Sequence, residues 1–144
     1  MKFIVFLFAF VTLTSPLSFA MVKPFGHWTL KDLTCASGAV PNPGMPSTVR
    51  VDFHLYDDTK FEQIMLRADG WIVARGTYTN TDKQMCFSTT ELIFPKQPPF
   101  TQPGRPTCWD FQLNAQELSF QLPSNSDCPP GDTLRWNFML MEPL

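Results

Sequence analysis

From residue 49 to 56 apolar and polar side chains alternate without a break: Val49, Val51, Phe53 and Leu55 against Arg50, Asp52, His54 and Tyr56. Successive side chains on a strand point to opposite faces, so a period of two marks a strand with one buried face. The pattern returns at 107–113 with Trp109, Phe111 and Leu113, and near 118–122 with Leu118, Phe120 and Leu122. It returns again at 133–141 with Leu134, Trp136, Phe138 and Leu140. Further strands are predicted over 25–35, 60–68, 71–79 and 83–94. Asp57-Asp58-Thr59, Asp69-Gly70, Asn80-Thr81-Asp82 and Asn114-Ala115-Gln116 supply turns between them. The 14 prolines fall in the leader, in the predicted loops and at the termini, where a missing N–H does no damage to a sheet. No stretch carries helical periodicity with caps.

The connections are uneven. Residues 36–48, 95–106 and 123–132 form long Pro-rich loops, and all three fall at one end of a meander, with the Asp69-Gly70 hairpin. The tight turns share the other end. Eight antiparallel strands in an up-and-down meander can close into a barrel whose interior is filled by side chains or holds one small ligand. Closure removes the sheet edges that invite aggregation. The fold expected is therefore all-β, a single eight-stranded antiparallel up-and-down barrel. A two-sheet sandwich is the alternative, with connections that cross over more often.

Lys2, the apolar run from Phe3 to Val11 and the small residues Ser18 and Ala20 read as a signal peptide over 1–20, leaving a domain over 21–144. The apolar run is broken by Thr12, Thr14, Ser15 and Pro16, too early to span a bilayer, and no later run is long enough. A periplasmic or secreted product without a membrane span is expected. The chain has 11 Lys and Arg against 13 Asp and Glu, scattered without a basic stripe. Nucleic acid is therefore not an expected partner.

Cys35, Cys86, Cys108 and Cys128 contain no C-x-x-C pair, and an even number of cysteines in an exported chain reads as disulfides rather than a zinc site. Closure would lay the end of the first strand beside the start of the last. Cys35 and Cys128 would then staple the seam. Cys86 and Cys108 lie on strands that would be hairpin neighbours. The expected bridges are Cys35–Cys128 and Cys86–Cys108, from three possible pairings.

Gly26-His27-Trp28 opens the first strand, a long loop follows it, and the strands meander. In these features the chain resembles the lipocalin-like, or calycin, barrels, whose first strand carries a glycine, any residue, then tryptophan. The resemblance implies that Trp28 packs across the tight end of the barrel. Gly76-Thr77-Tyr78 is similar to a glycine–tyrosine pattern in related barrels, including biotin binders. The chain departs from the family in four ways. Arg135 comes too early to be the basic residue that covers the tryptophan. The threonine–aspartate–tyrosine motif and the C-terminal helix are absent, and Leu30 stands where biotin binders carry asparagine. No ligand identity follows from the resemblance.

Phe53, Leu55, Trp109, Phe111, Phe120, Trp136 and Phe138 are expected to point inward. They would line an apolar pocket with a few polar groups or simply pack as core. Phe100, between Pro99 and Thr101, would gate the mouth, contact a partner protein, or lie as a lid on the barrel end. His27 and His54 sit far apart in sequence on polar strand faces, where solvent exposure is expected. Asp110 and Glu91 are not placed together, as acid–base work would require. Ser88, Thr89 and Thr90 lack an activating context. The expectation is a protein without enzymatic activity, cofactor or metal, which binds a small apolar or amphipathic ligand. The alternative is an interaction module, such as an inhibitor of an exported hydrolase, acting through its Pro-rich loops. The room left inside the barrel separates the two.

Overall fold

The computed structural model describes residues 23–42, 49–123 and 127–142. The expected leader, 1–20, and parts of two long loops, 43–48 and 124–126, lie outside the described residues. The strands are β1 (Gly26–Cys35), β2 (Arg50–Leu55), β3 (Lys60–Arg67), β4 (Gly70–Asn80), β5 (Gln84–Ile93), β6 (Phe100–Thr101), β7 (Pro106–Leu113), β8 (Glu117–Leu122) and β9 (Leu134–Glu142). They form one antiparallel sheet. Each long strand pairs with the next, and β9 pairs back onto β1, so eight strands close in a ring.

The closing seam runs from His27 opposite Glu142 to Cys35 opposite Leu134, with two irregularities. One puts Lys31 out of step, so that Leu30 and Leu33 both face core partners, Phe138 and Trp136. Cys35 is bonded to Cys128 across this seam and Cys86 to Cys108 across β5 and β7, the pairs read from the strand layout.

The loop expected over 95–106 is shorter than its sequence implies. Phe100 and Thr101 pair with Leu92 and Glu91 as β6, on the same edge of β5 that β7 occupies further along. Pro106 begins β7, where a strand tolerates a residue without an N–H. Other strand ends differ from expectation by about a residue, the usual uncertainty of fraying ends.

Large side chains fill the tight-turn half of the ring. Phe53 lies 5.1 to 6.1 Å, centroid to centroid, from Phe61, Phe87, Phe120 and Phe138. Phe87 also meets Tyr78 and Trp109. Trp28, Leu55, Met85 and Leu118 complete this core. Trp28 is opposite Leu140 on the seam, and its indole N–H donates to the Pro24 carbonyl at 2.8 Å, so its one polar atom is satisfied in the core. Gly26 beside it has φ +148°, a backbone conformation in which a side chain is strained, and a Cβ there would also stand 3.2 Å from the Glu142 carbonyl oxygen. Leu140 thus occupies the place beside the tryptophan. Arg135 is opposite Thr34 at the far end of the seam.

Candidate functional site

The long-loop end of the ring is built from two unlike halves. On one side the described segments 35–42 and 127–133 are tied together. The Cys35–Cys128 bridge joins them, Ala36 N–H donates to Thr133 O at 2.9 Å, and Asn42 N–H donates to Asp127 O at 2.8 Å. Ser37 donates from its backbone and hydroxyl to the Asp132 carboxylate, which holds that carboxyl below its ordinary pKa. Under these ties Cys35, Cys128 and Leu134 form a small core with Leu33, Ala39, Leu122 and Trp136 packed against it.

On the other side residues 100–102 of the 94–105 segment pair onto β5. Gln102 N–H donates to Thr90 O at 2.9 Å, beyond the two β6 pairs. Between β6 and β7 a groove of about 440 Å³ is lined by Thr89, Gln102, Pro103, Arg105 and Thr107. Phe100 shares its register with Leu92 and Ala74, on the inward side, yet is 56% exposed. It is therefore not the packed lid that was one reading of the sequence. It stands exposed at the long-loop end.

Burial falls from the tight end to the long-loop end along the inward rows of β3, β4, β5 and β8, while Val51 on β2 and Leu134 on β9 stay buried at that end. On β3 it runs from buried Phe61 to half-buried Gln63 and Met65, and on β4 from Tyr78 to Ala74 and Ile72. On β5 it runs from Met85 and Phe87 to Thr89 and Leu92, and on β8 from Leu118 and Phe120 to Leu122. The bulky rings sit low, and the residues above them are smaller or half-exposed.

The residues expected to line a pocket divide accordingly. Phe53, Leu55, Phe120 and Phe138 are fully buried and form the packed floor. Trp109, Phe111 and Trp136 are only partly buried against it. Trp109 stacks at an angle on Phe87 and Phe120 at 5.5 and 5.7 Å. Trp136 lies 6.4 Å from Phe138, and its indole Nε1 is buried without a hydrogen-bond partner among the described residues. Met65, Ala74 and Gln63 belong to the same upper region and were not singled out in the sequence. Strand parity alone marks them as inward but not as half-exposed.

The two histidines are not isolated. They are opposite one another on β1 and β2, with rings stacked at 4.2 Å and 13° on the outer face. Beside them Asp52 is only 7% exposed. Burial pushes its pKa up, but hydrogen bonds from Thr29 at 2.6 Å and Arg50 at 2.9 Å outweigh this and bring it below the ordinary value. His27 Nε2 lies 3.5 Å from Asp52 Oδ1, outside hydrogen-bonding geometry. The alternation places these groups outward correctly. The loop between β1 and β2 hides the register that stacks them.

Asp110 and Glu91 remain apart. Asp110 accepts from Gln84 at one end of β5 and Glu91 pairs with Arg75 near the other, a strand distance of roughly 20 Å. Among the described residues, no group of three or more His, Cys, Asp or Glu is placed to hold a metal ion. No helix there is long and apolar enough to cross a membrane. Comparison with protein-family models, curated proteins and solved structures gave no match.

Proposed function

We propose that this chain is an exported, lipocalin-like up-and-down barrel that binds a small apolar or amphipathic ligand in the half-open upper part of its interior. The observation that carries the reading is the fall in burial along the inward rows of β3, β4, β5 and β8. Inward side chains are left half-exposed when the ring above the packed floor is not filled. Met65, Ala74, Leu122, Trp109 and Trp136 would supply apolar contact, at about 25 cal/mol per Å² removed from water. Gln63 and Thr89 would orient a polar end, as a few placed polar groups do in apolar sites. Phe100 would stand at the entrance. Export to the periplasm or outside the cell suits a chain with two disulfides.

A second reading rests on the cross-tied rim. Loops held by a bridge and several hydrogen bonds lose little entropy on contact, which suits an interaction module such as a hydrolase inhibitor.

The test uses tryptophan fluorescence with a long-chain fatty acid as probe, and native mass spectrometry of protein purified from its own host. Saturable quenching, abolished in Ala74→Phe while the fold is retained, is the expected result. Absence of both quenching and any co-purified molecule would remove the carrier reading. Tight inhibition of an exported hydrolase, weakened by Phe100→Ala, would favour the second.

A further inference from the structure

The two disulfides are placed differently. Cys35 and Cys128 are 2% and 8% exposed and sit among apolar side chains. Cys86 and Cys108 are directly opposite one another on β5 and β7, on the outer face of the ring. Cys108 is exposed and Cys86 half-buried. Their surroundings are polar: Thr79 is opposite Cys86 on β4, and the Gln84–Asp110 side-chain pair lies one outward step away.

We propose that Cys86–Cys108 is a thiol–disulfide exchange site for an external dithiol, and that Cys35–Cys128 is a structural bridge the same dithiol does not open. A thiolate must reach a sulfur to attack it, so access decides which bond exchanges. Cys108 is the more exposed of the two residues, so its sulfur is the assigned point of attack. The incoming thiolate bonds to it and Cys86 leaves as a thiolate, which takes up a proton. The second thiol of the dithiol then attacks the mixed disulfide and releases Cys108. The dithiol is oxidised to its disulfide, and the protein gains two electrons and two protons as two thiols.

The ladder makes the step reversible. Gln84 is opposite Asp110 and Ser88 opposite Pro106, so strand pairing on both sides holds the two cysteines together when the bond is open. The bridge also closes the segment that holds β6, Phe100 and the groove lined by Gln102 and Arg105. Opening it removes the covalent tie on that segment and leaves the bridge beside the β1–β9 seam in place. This goes beyond the carrier reading and does not depend on it.

The test is timed reduction of the native protein with dithiothreitol, quenched by iodoacetamide and read by peptide mapping. Cys86 and Cys108 should be alkylated at least tenfold faster than Cys35 and Cys128. Equal rates, or earlier opening of Cys35–Cys128, would overturn the proposal. Reduced glutathione, a monothiol whose mixed disulfide is trapped at low pH, should be found on Cys108 rather than Cys86. Capture on Cys86 would contradict the assigned point of attack. The double variant Cys86→Ser with Cys108→Ser should keep the near-ultraviolet circular dichroism of the parent, and its loss would show that the bridge is structural.

Discussion

The carbonyl oxygen of Ser88 occupies the place a side chain on Gly76 would need: a Cβ there would stand 2.0 Å away. Gly76 is opposite Thr89 where the β4–β5 register slips, so the two backbones approach closely at that point. The same Cβ would come 3.0 Å from Phe61 Cε1 in the packed floor. Backbone cannot yield as a flexible side chain can. Gly76→Ala should therefore cost about 1–3 kcal/mol, as overpacking does, measured by urea unfolding.

Phe53 and Phe100 should behave oppositely. Phe53 meets four other rings in the floor, and Phe53→Ala should cost about 3–5 kcal/mol through lost burial and a cavity. Phe100 is 56% exposed, so Phe100→Ala should change stability by less than about 0.5 kcal/mol. Chemical denaturation of both variants checks the pair. A large loss from Phe100→Ala would mean that it packs as a lid.

The two bridges should differ in worth. Cys35–Cys128 spans 93 residues and Cys86–Cys108 spans 22. By loop-closure entropy alone the longer one contributes about 1 kcal/mol more. Its burial beside Leu134 and Trp136 adds to the gap, because the double alanine variant also loses packing. Unfolding midpoints of the two double alanine variants should rank in that order.

Stability should fall with acidification through His54. Burial lowers the His54 pKa from 6.5, and the neighbouring His27 lowers it further, against smaller opposing effects of Glu62 and Asp52. The folded protein thus binds its proton less readily than the unfolded chain does. Stability is full above 6.5 and is lost as pH falls from there towards the folded pKa. His54→Phe keeps an aromatic ring against His27 and should flatten that slope, measured as the urea midpoint between about pH 8 and 5. An unchanged slope in the variant would assign it elsewhere.

Much of the fold can be read locally. Alternation in 49–56 and in the last two long strands marks their buried faces, because the faces of a strand are set by its own pleat. Asp69-Gly70 and the other short turns place hairpin partners side by side. Cysteine positions then follow from which strand ends meet. The pairing of Phe100 and Thr101 with β5 is not legible in this way, since a Pro-rich stretch reads as loop.

What the chain alone determined is the period, the turns, the lopsided loops and the set of inward side chains. Tertiary structure decided how far those side chains fill the ring, that His27 stacks on His54, and that Asp52 is covered on an outer face. The division has a physical cause. Facing is a property of one strand, whereas filling, stacking and cover depend on volumes and registers contributed by strands far apart in sequence.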